Sequence, residues 1–356
     1  MKKKTPVCFL FLLLFVLIIH GKDLKNTLNR YGLMHLNEWI AYFQYDQLGV
    51  SVYSGTLPEG GAFFPSIGGT LTYMDGLAWA GLRRDGGIRA LHGGGIFYLP
   101  GLQPGWIVQS GNGGHSPQAV ATFNPRVRMY RWRKDFFKVS DEELKKEVAL
   151  LMMIPEDSVT QAWVDTLRQQ YWQDLQEWPA DLGAPYYDRN QNGRYDPDYD
   201  EPGLLGADQL IWYVVNDLNE MQPTIPSPYF EYFPIGLEIQ ITVWSYKMGL
   251  SSVLFSRYRI VNKSGSRVDS MFIGFFADCN IGDYEDDLVG CDSILGYGFA
   301  YNGKPVDAVF SRLNMAPPAM GVVLLQGPMV PAPGATAYLN FEKIADYKNL
   351  PMTSFW

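Results

Sequence analysis

The chain has 356 residues, of which 47% are apolar and 19% charged, and its 29 Lys+Arg against 37 Asp+Glu give a formal net charge of −8. This composition excludes intrinsic disorder, and a length of roughly 100–200 residues per domain predicts about two domains. An acidic chain argues against nucleic-acid binding, which needs a basic surface. Four His are few for histidine-based catalysis or a zinc centre.

The N-terminus has the layout of a signal peptide over residues 1–21. Lys2–Lys4 form a positive region, and Val7–Ile19 is an apolar run of 13 residues that ends before Gly21. Such a run is too short to span a bilayer core of about 30 Å. We expect an exported mature chain, whether secreted, periplasmic or cell-surface, with a net charge of −11 after three Lys are removed. No later run has transmembrane length, so we predict no membrane span.

Three regions of the mature chain differ in composition and in predicted secondary structure. Residues 22–138 are rich in Gly and aromatics, which predicts short strands and tight turns. Residues 139–180 predict a helical insertion, because Ser140 and Glu143 have the spacing of a capping box. We expect helices at Glu143–Met153 and Ser158–Trp178. Helical spacing places the following residues of the second helix on approximately one face: Trp163, Leu167, Gln170, Tyr171 and Leu175. Residues 181–356 predict a β-sandwich-like region.

The last region contains the clearest strand signals. Apolar residues alternate with others from Leu237 to Trp244, which is typical of a half-buried strand. Leu254–Val261 and Ser270–Ala277 predict a hairpin around Gly265. Further strands are expected at Ile294–Tyr301, Gly321–Gln326 and Thr336–Phe341. The predicted fold class is mainly β, an antiparallel β-sandwich-like architecture with an inserted helical pair.

One loop carries oxygen-bearing side chains at the spacing of a calcium-binding loop. Counted from Asp188, they stand at positions 1, 3, 5 and 9, with Gly193 at position 6 where the chain must bend sharply. Position 12 is Tyr199, where an EF-hand has Glu, so a neighbouring acid must close the site. We predict Ca²⁺ bound with a Kd of about 10⁻⁴–10⁻³ M; the alternative is a solvated turn without metal. The candidate ligands are Asp188, Asn190, Asn192, the Arg194 carbonyl, Asp196 and Asp200.

A second acidic segment places six acids between Asp278 and Asp292. It is either a second cation site or a solvated loop, and the four arginines between Arg126 and Arg133 could neutralise it. Its candidate ligands are Asp278, Asp283, Asp286 and Asp287. Cys279 and Cys291 flank these acids and either form a disulfide or remain free thiols, of which we favour the second.

Known catalytic patterns are missing from the sequence. There is no G-x-S-x-G elbow to accompany the segment His92–Gly95, and no H-E-x-x-H or C-x-x-C spacing. We therefore predict no catalytic residue and lean towards a protein that is not an enzyme. A pair of glycosidase carboxylates has no local signature, so a carbohydrate-active module remains open.

Several segments together carry a resemblance to a known group of proteins: Trp178–Pro185, Ala207–Trp212, Ile235–Gln240, Arg257–Gly265 and Gly290–Asp292. They resemble large, uncharacterised exported bacterial proteins, which often end in a type IX secretion sorting domain and carry β-sandwich modules. The resemblance covers most of the mature chain and implies a cell-surface or secreted role, but that family has no established activity. Its members continue beyond Trp356, so we expect this chain to be truncated or a fragment.

The sequence therefore predicts an exported structural or adhesion module that calcium stabilises. The alternative is a carbohydrate-binding or carbohydrate-hydrolysing module. The partner is unknown, with a surface polysaccharide or a protein as candidates.

Overall fold

The computed structural model describes residues 23–51, 60–65, 68–85, 88–95, 102–109, 117–219, 233–339 and 342–355. The predicted signal peptide at 1–21 lies outside these residues. The described part is mainly β, with antiparallel sheets in a sandwich-like arrangement and a helical pair, which confirms the predicted fold class.

The described helices and strands follow one another in this order. The helices are α1 (Leu24–Arg30), α2 (Asp141–Met152), α3 (Gln161–Gln176) and α4 (Ala308–Arg312). The first strands are β1 (Tyr31–Met34), β2 (Ile40–Gln44), β3 (Ala62–Phe63), β4 (Thr70–Asp85), β5 (Ile88–Gly95), β6 (Gln103–Pro104), β7 (Ile107–Gln109), β8 (Pro117–Ala119), β9 (Tyr130–Arg133), β10 (Tyr186–Tyr187) and β11 (Glu201–Pro202). The later strands are β12 (Gln209–Asn216), β13 (Leu237–Ser245), β14 (Leu254–Asn262), β15 (Val268–Cys279), β16 (Asp287–Asp292), β17 (Tyr297–Asn302), β18 (Ala319–Val323), β19 (Met329–Leu339) and β20 (Glu342–Asn349).

Two sheets form the sandwich. Sheet A has the order β1-β2-β3-β4-β15, with β5 also paired to β4, and sheet B has the order β14-β13-β12-β6, with β9 also paired to β12. All of these pairs are antiparallel. The β4–β15 pairing joins the Gly-rich region and the last region of the chain in one sheet.

Sheet B is covered on both faces. Alternate residues such as Ile211 and Ile241 pack with Phe43 and Trp79 of sheet A. Their neighbours, Trp212 among them, pack with the helical pair. Nearly every residue of β13 is therefore buried, including its polar ones, so the predicted half-buried strand is wrong. The alternation is present because the two faces meet different partners, not because one meets water.

The helical pair begins with the predicted capping box. The Glu143 amide donates to Ser140 Oγ at 3.2 Å, and the Ser140 amide donates to Glu143 Oε2 at 3.3 Å. α2 and α3 each begin and end within three residues of the predicted bounds. The side of α3 that packs on β9 and the core includes Leu167, Tyr171 and Leu175, as the helical spacing predicts.

The basic strand at residues 126–133 serves the helical pair rather than the second acidic segment. Arg128 and Arg131 both form ion pairs with Asp174 of α3, whose side chain is fully buried. Arg133 pairs with Glu147 of α2 at 3.1 Å. Arg126 pairs with Asp181, which follows α3. The expectation that these arginines neutralise the segment at 278–292 is therefore wrong, because their partners lie on the two helices that cover β9 or directly after them.

The predicted hairpin of the last region is also wrong, although its strands and turn are present. β14 pairs with β13 in sheet B, whereas β15 pairs with β4 in sheet A. The turn, with Gly265 at φ +73°, carries the chain from one sheet to the other. β4 is 16 residues long and offers β15 a partner over nearly its whole length, which a local turn signal cannot reveal.

The remaining strands form smaller sheets. β16, β17 and β18 form one sheet, and β19 pairs with β20. β17, β18 and β19 overlap the strands predicted near residues 294–301, 321–326 and 336–341. In the part of the chain that the structure describes, no helix has the length and apolar character needed to cross a bilayer.

Candidate calcium-binding loop

A short hairpin closes the predicted calcium loop. β10 and β11 pair through Tyr186 with Pro202 and Tyr187 with Glu201, so the chain leaves and re-enters this ladder at residues 188 and 200. The two ends of the loop are thereby held together. Asp188 at one end and Asp200 at the other can then belong to one site, although they are twelve positions apart in the sequence.

The first half of the loop winds around the side-chain oxygens that the spacing singled out. The Gly193 amide donates to Asp188 Oδ2 at 2.7 Å, and the Asn192 amide donates to Asp188 Oδ1 at 3.2 Å. The Arg194 amide donates to Asn192 Oδ1 at 2.7 Å. Gly193 has φ +74°, a left-handed conformation that favours glycine. The bend at position 6 is therefore where the pattern predicts it.

Asp200 closes the second half of the loop. Its Oδ1 accepts the Arg189 amide at 3.0 Å and its Oδ2 accepts the Asp196 amide at 2.8 Å, so one carboxylate spans both arms. Asp200 is buried, whereas Tyr199, at the EF-hand position for Glu, is 64% exposed. The acid that faces the loop is thus one residue later than in an EF-hand.

Aromatic residues attach the loop to the fold. The hydroxyl of Tyr195 donates to the Leu175 carbonyl at the end of α3 at 2.7 Å, and the rings of Tyr195 and Tyr186 meet edge to face at 5.5 Å. The pKa of Tyr195 is raised by burial and by the negative charges of Asp200 and Asp196. The loop is therefore tied to the helical pair.

The loop carries carboxylates without a cationic partner. Asp188, Asp196 and Asp200 form no ion pair with a described Lys or Arg, and Arg189 instead pairs with Glu201 at 2.6 Å. The pKa of Tyr186 is raised by desolvation and by the charges of Asp188 and Asp200, which act on the same ring. Carboxylates that share a small space repel one another, so a bound cation would lower their energy.

Carboxylate side chains alone do not form a metal centre in this loop. Among the described residues, no three His, Cys, Asp or Glu side chains converge as a metal centre. Calcium loops also draw on amide and backbone oxygens, which in this loop would be those of Asn190, Asn192 and Arg194. The carboxylates accept amides of their own loop, and each oxygen retains a further lone pair for a cation.

The second acidic segment is only partly brought together. The pKa of Asp287 is raised by burial and by the charges of Asp286, Asp307 and Asp283. Asp278 lies on β15 opposite Met74 and is not among these charges. Lys304 pairs with Asp286 at 3.2 Å. Three of the four candidate ligands therefore share one region.

Asp307 is the acid of this region that sequence reasoning missed. It is 3% exposed, and its Oδ1 accepts the Val309 and Phe310 amides in the first turn of α4 while its Oδ2 accepts the Asp283 amide at 2.9 Å. Nearby, Asp287 Oδ1 and Asn302 Oδ1 are buried without a hydrogen-bond partner in the described structure. An Asp before a helix is a capping signal, which could have identified Asp307 but not its role beside Asp283.

The two cysteines are free. Cys279 at the end of β15 is partly buried and Cys291 in β16 is exposed. Burial raises the pKa of the Cys279 thiol to about 11, helped by nearby carboxylates such as Asp75. A thiol of this kind is a poor nucleophile at neutral pH.

A partly buried polar group between the sheets was also missed. Asp75 of β4 accepts the Val50 amide at 2.6 Å, and burial raises its pKa to about 7. Asp46 Oδ1 and the Tyr213 hydroxyl are buried without a described hydrogen-bond partner. The sequence signal is weak, because one Asp in an apolar strand resembles an exposed residue of an amphipathic one.

Comparison with known proteins found no matching family model, no similar curated protein and no similar solved structure. The resemblance to exported bacterial proteins therefore stays a prediction, as do export and the carbohydrate alternative.

Proposed function

We propose that the chain is an exported, non-enzymatic β-rich module with a structural or adhesive role, and that its loop at residues 188–200 binds calcium. The observation that carries the proposal is the loop itself. Asp188, Asp196 and Asp200 lie on one closed loop without a described cationic partner. A hard cation with oxygen ligands suits this set, and the weak affinity expected of two Asn ligands suits an extracellular calcium concentration.

Binding would stabilise the fold through the position of the loop. The β10–β11 hairpin closes the loop, and Tyr195 connects it to α3. A cation that joins the two arms therefore also holds the hairpin against the helical pair. Because the unfolded chain lacks this arrangement, calcium binds the native state preferentially and raises its stability.

Isothermal titration of Ca²⁺ into residues 22–356 tests the proposal. We expect one site with a Kd of about 10⁻⁴–10⁻³ M. Asp188→Asn keeps an oxygen for the Gly193 amide but removes a charge, so it should weaken binding about tenfold. Asp157→Asn, at an exposed position outside the loop, is the matched control and should bind as the wild type does. Equal affinity in both variants would refute the assignment.

A further inference from the structure

Three arginines cluster around the start of β15, although the chain as a whole is acidic. Arg84 of β4, Arg89 of β5 and Arg267 each pair with Asp269, at nitrogen–oxygen distances of 2.5, 3.4 and 2.6 Å. The Asp269 side chain is 12% exposed and the Arg267 side chain 76% exposed. Among the described side chains of this arginine cluster, three guanidinium groups face one carboxylate, so it presents excess positive charge to solvent.

The opposite end of β15 is acidic. Asp278 is its penultimate residue, and Asp283, Glu285 and Asp286 follow within eight positions. Asp283 and Glu285 are exposed. β15 therefore runs from a positive end to a negative end.

Between these ends lies the apolar middle of β15. It pairs with β4 on one side, and no described strand pairs with its other side. Phe272, Ile273 and Phe275 are 73%, 38% and 41% exposed. An open strand edge with exposed apolar residues is a template for another strand. From Phe272 to Asp278 the register with β4 is unbroken, so this stretch of edge is regular.

We propose that two copies of this chain associate through the β15 edges, antiparallel about a two-fold axis near Phe275, and so join two copies of sheet A. Phe275 is the midpoint of the regular stretch. An antiparallel pair centred there places residue 267 of one copy level with residue 283 of the other. The arginine cluster of each copy then lies towards Asp278 and Asp283 of the second copy.

Charge favours a second copy of the same strand. In a two-fold interface the same patch meets itself, so each contact occurs twice. Parallel pairing would bring arginine cluster against arginine cluster, whereas antiparallel pairing makes both ends complementary. The apolar residues then lie at the centre and the charges at the rim, the usual arrangement in protein interfaces.

The test is the mass of residues 22–356 in solution, measured by sedimentation equilibrium at 1–200 µM and at 50 and 500 mM NaCl. We expect a monomer–dimer equilibrium that weakens at the higher salt, because rim charges are screened. A chain that is monomeric throughout this range would overturn the proposal. None of the named residues belongs to the calcium loop, so repeating the measurement with chelator separates this proposal from calcium binding.

A charge exchange identifies the surface. Arg267→Asp and Asp283→Arg should each raise the dimer dissociation constant about fivefold or more, and the double variant should restore it. Arg312→Asp, at an exposed position on α4, is the control and should have no effect. Phe272→Lys tests the apolar centre at a side chain exposed enough to leave the fold intact. A dimer indifferent to all of these variants would use another surface and refute the proposal.

Discussion

Arg133 of β9 and Glu147 of α2 form an ion pair at 3.1 Å in which the side chains are 1% and 2% exposed. The Tyr171 hydroxyl donates to the other oxygen of Glu147 at 2.7 Å, and Arg133 also pairs with Asp135. A strand of sheet B and both helices of the insertion therefore meet at the Glu147 carboxylate, and the loop after β9 joins them through Arg133. The loop at residues 188–200 is attached to α3 through Tyr195, so the helical pair connects this loop to the sandwich.

The first prediction concerns this ion pair. Glu147→Gln keeps the volume but removes the buried charge that pairs with Arg133 and accepts the Tyr171 hydroxyl, and it leaves Arg133 with the partly exposed Asp135 as its described ion-pair partner. We therefore expect a loss of about 2 kcal/mol in the free energy of unfolding. Urea denaturation followed by tryptophan fluorescence measures it. Glu142→Gln removes a carboxylate of the same helix from a pair with Lys146 that is largely exposed, and should cost less than about 1 kcal/mol. Equal losses in the two variants would contradict this prediction, because they would show that the buried pair contributes no more to stability than the exposed one.

The second prediction concerns pH. Burial raises the pKa of Asp75 to about 7 from an ordinary value of 3.8. Between these values the folded state holds a proton that the unfolded state has lost. The free energy of unfolding contributed by Asp75 should therefore fall as pH rises from about 4 to about 7, by about 2–4 kcal/mol, and then level off. Asp75→Asn should remove this part of the pH dependence. If the free energy of unfolding of Asp75→Asn changes with pH between 4 and 7 as much as that of the wild type, the raised pKa of Asp75 is contradicted.

The third prediction concerns the close approach of Gly49 to Asp75. A Cβ at Gly49 would lie 2.1 Å from Asp75 Oδ1 and 2.6 Å from its carbonyl oxygen. Gly49→Ala must therefore displace β4, and we expect a loss of about 1–3 kcal/mol, as for other overpacked sites. At Gly274 a Cβ meets nothing within 4 Å, so thermal unfolding of Gly274→Ala should stay close to that of the wild type. If Gly49→Ala unfolds at the same temperature as Gly274→Ala, the close approach of Gly49 to Asp75 does not limit the packing.

Local signals predicted the local structure of this chain. The Ser140–Glu143 capping box, the apolar face of α3 and the bend at Gly193 each depend on residues a few positions apart. The pairing of β15 with β4 joins residues nearly 200 positions apart, and no periodic pattern encodes it. For the same reason the sequence identified arginines at 126–133 but not their partners Asp174 and Glu147 on the helices.

In the candidate site, too, the sequence predicted the local features but not the contacts between distant residues. The spacing identified the oxygens of the first turn and included Asp200, but only the β10–β11 ladder shows how Asp200 reaches Asp188. Asp307 and Asp75 were missed because their surroundings come from distant strands and loops. A buried acid becomes recognisable only when the groups around it are known.

Thermal unfolding of residues 22–356 in 10 mM calcium and in excess chelator tests the central claim most directly. At 10–100 times the expected Kd, calcium should add about 1.4–2.7 kcal/mol and raise the midpoint by roughly 2–5 °C. Magnesium, which prefers a rigid octahedral site and keeps its waters, should raise it less, and Asp188→Asn should reduce the calcium effect. A midpoint that is the same in calcium and in chelator would contradict the account.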